Sequence, residues 1–156
     1  MNVSTKSEYG LRALIYLAEQ GGLAEQGGRE AVPAREIAER WSVPVKYLEQ
    51  ILKTLKEGGV VTAQVGLGGG YRLARPAALI TAGSVIRLLD GRIAPMGCVS
   101  ASDYEPCEFE PGCGLRTLWA RARAALLGVL DETTVADLCS PAEGQRAVGL
   151  KTVPRR

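Results

Sequence analysis

The chain has 156 residues, of which 46% are hydrophobic and 23% are charged, and its formal net charge is +2. A chain of this length can bury one good core, and no apolar run approaches the roughly 18 residues needed to cross a bilayer. Histidine is absent, which excludes His-dependent catalytic triads, His general bases and His-containing zinc fingers. We therefore expect a globular, cytoplasmic protein that is neither an enzyme nor bound to a membrane.

The charges are unevenly distributed along the chain. Residues 1–76 hold ten Lys/Arg against eight Asp/Glu, residues 77–140 hold five against eight, and residues 141–156 hold four against one, which together give 19 and 17. A weakly basic first part, an acidic middle and a basic tail are compatible with a nucleic-acid partner.

The chain begins with a predicted helix. Ser4 or Thr5 can cap this helix, which ends near Gln20. A polar, Gly-rich connection over residues 21–30 follows, and we expect it to be mobile.

Two further helices are joined by a tight turn. The first covers residues 34–40, and the second runs from Pro44, at its first helical position, to Glu57. The second helix is amphipathic, because its apolar residues fall within one arc of about 100° and its polar residues fall on the opposite arc. The apolar set is Leu48, Ile51, Leu52 and Leu55, and the polar set is Lys46, Glu49, Gln50 and Lys53.

A predicted hairpin separates these helices from the second half of the chain. Its strands, over residues 60–65 and 71–74, flank a glycine-rich turn. A helix over residues 81–90 and an irregular segment over 92–112 come next.

A long helix starts near Cys113, and its apolar stripe is suited to pairing with another helix. A last short helix covers residues 135–139. The stripe consists of Leu115, Leu118, Trp119, Ala122, Ala125, Leu126 and Val129.

This order of elements predicts a mainly α fold with a small β-hairpin, the winged helix-turn-helix, whose second helix enters the major groove of DNA. There, Glu49 can accept a hydrogen bond from cytosine N4, and Gln50 can bond adenine. Lys46 and Lys53 can reach guanine or phosphate. The alternative is that the four residues are only the solvated face of an amphipathic helix. The glycine-rich turn could also be a phosphate cradle, but a strand and Pro76 follow it rather than a helix.

Three of the four cysteines, Cys98, Cys107 and Cys113, belong to the irregular segment and its end. Thiolates are the usual ligands of iron–sulphur clusters, and an irregular loop can bring three of them together. A position near a helix N-terminus also favours the thiolate of Cys113. Two alternatives stay open: the thiols are reduced and bind nothing, or they hold zinc, which normally takes four Cys/His ligands in close pairs.

Four motifs resemble the IscR and NsrR type of bacterial winged-helix regulators over roughly residues 1–130. They are SEYGLRAL at 7–14, YLEQIL at 47–52, GLGGGY at 66–71 and ITAGSVI at 80–86. The resemblance implies a homodimer, joined through the long C-terminal helix, on a two-fold symmetric operator in double-stranded DNA. It places Lys46, Glu49 and Gln50 against bases and Tyr47 and the wing against the DNA backbone. The predicted DNA contacts are Arg35, Lys46, Tyr47, Glu49, Gln50, Lys53, Leu67, Gly68, Gly69 and Tyr71.

Two DNA-facing positions depart from this family's pattern. Val65 replaces an arginine that enters the minor groove in IscR, so we expect the wing to read sequence less sharply. Lys46 replaces a small hydroxyl residue, which predicts a different operator.

The resemblance also implies an iron–sulphur cluster, [4Fe-4S] or [2Fe-2S], on Cys98, Cys107 and Cys113. The first gap between these cysteines is eight residues rather than the family's five, an extension that a flexible segment can absorb. IscR would supply a histidine as fourth ligand where this chain has Arg116. NsrR-like members carry an acidic residue that reaches the cluster from the partner subunit, and here that residue is Glu8.

Two alternatives stay open for the fourth ligand. Thr5-x-x-Glu8 can form a capping box, in which Glu8 would bond the backbone at the start of its own helix. Cys139 could compete for the same coordination position.

The sequence thus predicts a transcriptional regulator with a DNA-binding domain over residues 1–76, a cluster-binding loop and dimerisation helix over 77–140 and a disordered basic tail over 141–156. Gain, loss or oxidation of the cluster would reorder the loop and change operator affinity in response to iron–sulphur status, redox state or nitric oxide. One alternative is a cluster-free regulator controlled by thiol oxidation or a protein partner. Another is an electron carrier or cluster-transfer protein.

Overall fold

The computed structural model describes residues 4–21 and 31–140. The connection over residues 22–30 and the tail over 141–156, for which mobility and disorder are predicted, lie outside these ranges. The described helices and strands are α1 (Thr5–Gly21), α2 (Ala34–Trp41), α3 (Val45–Glu57), β1 (Val61–Gln64), β2 (Gly70–Leu73), α4 (Ala82–Asp90), α5 (Gly114–Glu132) and α6 (Val135–Leu138). This mostly helical architecture with one antiparallel hairpin confirms the predicted fold class.

The N-terminus of α1 is capped by Ser4. Its hydroxyl accepts a hydrogen bond from the backbone N–H of Ser7 at 3.1 Å and donates to the Asp90 carboxylate at the end of α4. The capping box between Thr5 and Glu8 therefore does not form. Instead, the Glu8 carboxylate forms an ion pair with Arg12 at 2.6 Å.

A left-handed residue makes the turn between α2 and α3. Ser42 has φ 54°, and the following Val43 N–H donates to the carbonyl of Ala38 at 2.9 Å. Pro44 precedes the first helical residue rather than occupying that position. It acts as the N-cap, since its carbonyl accepts from the N–H groups of Tyr47 and Leu48 at 3.1 and 3.0 Å.

The first strand is shorter than predicted, and the second has the predicted length but begins one residue earlier. Val61 pairs with Leu73 and Gln64 with Gly70, so the hairpin has four residues in each strand. Val60 is absent from β1 because its N–H donates to the carbonyl of Leu55 at 2.9 Å, which closes the end of α3.

A backbone bridge before α2 widens the hairpin. Val32 and Tyr71 exchange two N–H···O bonds of 2.8 Å each. Gly70 has to be glycine for this approach, because a Cβ atom there would overlap the Val32 carbonyl. The wing is therefore tied to the segment that leads into the helix-turn-helix.

One hydrophobic core joins α1, α2, α3, the hairpin, α4 and α6. Burying its side chains is the main favourable contribution to folding. Its fully or nearly fully buried members include Leu14, Ile37, Leu48, Ile51, Leu52, Leu55, Val61, Ile80, Val85 and Val135. All four apolar residues predicted on the inner face of α3 belong to this core.

Helix α5 contrasts with the others because none of its residues is buried. Leu115, Leu118 and Val129 of the predicted apolar stripe are 60%, 53% and 64% exposed. Among the described residues, no helix is long and apolar enough to cross a membrane.

The C-terminal end of α5 is attached to α4. Arg87 and Asp131 form an ion pair at 2.6 Å, and the Ala82 N–H donates to the carbonyl of Thr133 at 2.8 Å. The Asp131 carboxylate lies so close to Gly83 that a Cβ atom at this glycine would overlap it. Thr81 caps α4, accepting from the Ser84 N–H at 3.2 Å.

Candidate DNA-binding surface and cysteine segment

The outer face of α3 is polar and exposed. Lys46, Glu49, Gln50 and Lys53 are all exposed, opposite the buried leucines and isoleucine. Within the described part of the chain, the side chains of Lys46, Glu49 and Gln50 make no hydrogen bond or ion pair, and Lys53 is 4.0 Å from Glu57. Their donors and acceptors are therefore free to meet another molecule.

Two predicted DNA contacts have protein partners instead. Tyr47 is half-buried and packs edge-on against Tyr9, with ring centroids 6.0 Å apart. Arg35 lies on α2 rather than α3 and pairs with Glu39 at 2.9 Å, where both side chains are exposed. An exposed pair of this kind is weak enough to exchange for a phosphate contact.

The wing residues divide into a tip and a base. Leu67 is fully exposed at the tip, beside Gly66 and Gly68 with φ of 110° and 79°. Gly69 closes the turn, because its N–H donates to the carbonyl of Gly66 at 2.8 Å. Tyr71 belongs to the base, where it bridges to the segment before α2.

Helices α1 and α2 meet at a cation–π contact that the sequence analysis missed. The guanidinium groups of Arg12 and Arg40 lie 5.5 and 4.6 Å from the centroid of the Trp41 ring. The ion pair of Glu8 with Arg12 joins the same group. The four-residue spacing of this ion pair was readable from the sequence, whereas the contact with Trp41 depends on tertiary packing.

The cysteine segment, residues 92–113, is held by a few polar contacts. Arg92 pairs with Glu105 at 2.9 Å and with Asp103 at 3.6 Å. The Glu105 N–H donates to the carbonyl of Gly97 at 3.2 Å, which folds the segment back on the turn containing Cys98. Residues 101–109 are all exposed.

Two of the three cysteines share a groove beside the start of α5. Cys98 and Cys113 line this open groove of about 810 Å³, together with Glu110 and Arg116. Cys107 is exposed on the loop and does not line it. In residues 4–21 and 31–140 no three Cys, Asp or Glu side chains are grouped closely enough to hold a metal ion. The predicted ligand set is therefore chemically suitable but not assembled.

Glu110 organises the polar side of this groove. Tyr104 donates its hydroxyl to the Glu110 carboxylate at 2.6 Å, and this hydrogen bond raises the pKa of Tyr104 above its ordinary value. The other carboxylate oxygen faces Arg116 at 3.9 Å.

Cys139 does not line the groove and contacts helices α1 and α6. Its thiol donates to the carbonyl of Val135 at 3.2 Å and faces that of Ile15 at 3.8 Å. Burial against α1, with a smaller contribution from Glu19, raises the pKa of this thiol. These contacts do not bring Cys139 to the other three cysteines.

Comparison with known proteins identifies the family. Residues 3–141 match the family model described as Rrf2, iron-dependent transcriptional regulator. The chain belongs to the Rrf2 family. It is a DNA-binding transcriptional regulator and not an enzyme, which confirms the resemblance found in the sequence.

Three Rrf2 relatives are informative. The HTH-type transcriptional regulator CymR of Bacillus subtilis is 36% identical over 94% of this chain and 95% of its own. Its structure, described as the global cysteine regulator, superposes with a TM-score of 0.75 over 90% of this chain and 97% of that one.

The other two relatives represent an oxidised regulator and IscR. The oxidised form of Staphylococcus aureus CymR has 36% identity and a TM-score of 0.70, covering 89% of this chain and 96% of that one. T. potens IscR has 28% identity and a TM-score of 0.68, covering 99% of this chain and 94% of that one.

Proposed function

We propose that this Rrf2 regulator binds a two-fold symmetric operator as a homodimer, reads bases with α3 and receives its signal through the cysteine segment. The observation that carries the proposal is the outer face of α3. Lys46, Glu49 and Gln50 are exposed there, and their side chains form no hydrogen bond or ion pair with any residue that the structure describes, on a helix whose other face is fixed in the core. A rigid helix with free polar side chains is what base readout in the major groove requires.

The exposed stripe of α5 supports the homodimer. Leu115, Leu118 and Val129 leave an apolar surface along a helix of 19 residues. A helix of that length extends about 28 Å, which is long enough to pair with its copy along several turns. The pairing would set two α3 helices about one DNA turn apart.

Selection of binding sites from random DNA tests base readout directly. We expect the wild type to select a palindrome, and Glu49→Ala to relax preference at one base pair in each half-site by about 1–3 kcal/mol. Glu19→Ala is the matched control, because Glu19 is an exposed residue of α1 far along the chain from α3. An unchanged preference in Glu49→Ala would contradict the proposed role of α3.

For the signal, we propose an iron–sulphur cluster on Cys98, Cys107 and Cys113, with Glu8 of the partner subunit as the candidate fourth ligand. Support comes from the donor chemistry, from the iron dependence in the family's description and from the likeness to IscR. When bound, a cluster would supply a centre sensitive to redox state and to nitric oxide. The residues of this chain would hold it beside the N-terminus of α5.

A second candidate is control by thiol oxidation without a cluster. The separation of Cys107 from the groove favours it, because only two of the thiols share one site. The likeness to an oxidised form of CymR also supports it.

Native mass spectrometry after anaerobic purification separates the two candidates. Protein reconstituted with iron and sulphide should gain the mass of a cluster and change operator affinity relative to metal-free protein. Cys98→Ser should lose both effects, whereas Cys139→Ser, in the cysteine that lies outside the groove, should keep them. If the wild type takes up no cluster and still responds to oxidant, the second candidate is correct.

A further inference from the structure

We infer that Cys98 and Cys113 form an intrachain disulfide when the metal-free protein meets a peroxide, and that Cys107 stays outside this bond. The inference rests on the proposed role of the cysteine segment as the part that receives the signal. It assigns a specific pair, where the proposed function leaves the reacting thiols open.

The groove brings this pair together. Cys98 and Cys113 are both half-buried in its lining, so each is accessible to a small oxidant yet sheltered from other protein molecules. Arg116 contacts both residues: its Nε lies 3.5 Å from the carbonyl oxygen of Cys98, and its backbone N–H donates to that of Cys113 at 3.2 Å. One residue of α5 thus contacts both the turn around Cys98 and the start of the helix.

Cys107 lies outside the groove, two successive turns before Cys113. Its carbonyl accepts from the Glu110 N–H at 3.1 Å, and the Glu110 carbonyl accepts from the Cys113 N–H at 3.2 Å. Cys107 is therefore exposed on the loop, whereas Cys98 and Cys113 share the groove. Cys139 is bonded to the backbone of α6 and α1 and is not part of the groove.

Closing the disulfide places a distance requirement on the two cysteines. The two Cα atoms have to lie within about 7 Å of each other. The backbone between the two cysteines can rearrange, because residues 101–109 are exposed. Gly112, the last residue before Cys113, has a positive φ of 84°, a conformation that glycine adopts without strain.

The reaction balances with hydrogen peroxide as the oxidant. Each thiol loses one proton and one electron, and a covalent bond forms between the two sulphur atoms. The O–O bond of the peroxide breaks, and its two oxygen atoms take up both electrons and both protons to give two water molecules.

Peptide mapping of the full-length, metal-free chain tests the assignment. The reduced protein is treated with hydrogen peroxide, the remaining thiols are alkylated, and the digest is analysed without reductant. We expect a bridged peptide joining Cys98 to Cys113, with Cys107 and Cys139 alkylated. Cys107→Ser and Cys139→Ser should give the same bridge, and Cys98→Ser and Cys113→Ser should not. Far-UV circular dichroism checks that every variant is folded.

A bridge through Cys107, a bridge between two chains, or overoxidised Cys98 and Cys113 would overturn the assignment. Operator titration separates this failure from that of the proposed function. We expect oxidation to change the affinity of the wild type and Cys107→Ser by roughly 5- to 150-fold, reversibly with dithiothreitol. If the predicted bridge forms and affinity does not change, the assignment of the pair stands and the proposed role of the segment in signalling is wrong.

Discussion

The recognition unit, made of α2, α3 and the hairpin, and the cysteine segment differ in how their backbones are held. The inner face of α3 is completely buried, so its outer side chains project from a fixed helix. The cysteine segment depends on polar contacts such as those of Arg92, and residues 101–109 are all exposed. Few buried apolar contacts mean a low free energy of local opening. The surface proposed to read DNA is preformed, whereas the segment proposed to receive the signal is free to rearrange.

The largest expected effect is on the free energy of unfolding, and it is tested by truncating one side chain in each region. Leu52→Ala should lower the free energy of unfolding by about 2–5 kcal/mol, because Leu52 is fully buried and its truncation leaves a cavity. Phe109→Ala should change it by less than about 0.5 kcal/mol, because Phe109 is 68% exposed. Urea denaturation followed by circular dichroism measures both. Similar losses in the two variants would show that the cysteine segment is part of the core.

Substitutions at two glycines compare how tightly the backbone is packed in the hairpin and beside the cysteine segment. Gly70→Ala should destabilise the protein by about 1–3 kcal/mol, because the new Cβ atom overlaps the Val32 carbonyl and disturbs the wing. Gly114→Ala, at the first residue of α5 directly after the cysteine segment, is the control. A Cβ atom there meets nothing within 4 Å, so this variant should be as stable as the wild type or slightly more stable. Thermal unfolding of the pair decides between these outcomes.

The ion pair between α4 and α5 lies outside both regions, and its expected effect on stability is smaller. Hydrogen bonding to Arg87 holds the pKa of Asp131 below its usual value. The pair therefore stabilises the protein above the ordinary aspartate pKa of about 3.9, and this contribution disappears as the pH falls through the lowered pKa.

Asp131→Asn measures that contribution. Because both side chains are about 40% exposed (40% and 43%), we expect a loss of only about 0.2–1 kcal/mol at neutral pH, vanishing in strong acid. Glu132→Gln, at the neighbouring exposed position, should show no such loss. Equal unfolding free energies for wild type and Asp131→Asn at pH 7 would show that the ion pair does not stabilise the protein.

The smallest effect concerns reactivity and leaves the fold intact. Cys139 should be alkylated by iodoacetamide more slowly than Cys107, because burial raises the pKa of the Cys139 thiol and Cys107 is exposed. Time-resolved mass spectrometry of the reduced protein reports both rates. Faster labelling of Cys139 would mean that α6 separates readily from α1.

Local patterns were enough to predict the recognition unit. The apolar spacing of α3 identified its buried face, and the predicted start was wrong by one residue because Pro44 caps the helix. The strand predicted over 60–65 was too long at both ends. Val60 bonds back to α3, and Val65, 97% exposed, has already left the pairing.

Contacts distant in sequence account for what the sequence did not predict. The sequence left Ser4 and Thr5 both open as the cap of α1; Ser4 is the cap, and Asp90, 86 residues away, accepts a hydrogen bond from it. The separation of Cys107 from the other two thiols depends on the turns through Glu110 and on the fold-back of Glu105. Neither feature has a periodic signature in the sequence.

The close contact of Gly83 with Asp131 has an evolutionary consequence. A Cβ atom at position 83 would push aside the carboxylate that pairs with Arg87, and this carboxylate is the end of a flexible, partly exposed side chain. Replacement of the glycine should therefore cost the protein the ion pair and not the fold. Among descendants of a common ancestor, we expect chains that have lost this glycine to have lost the ion pair as well.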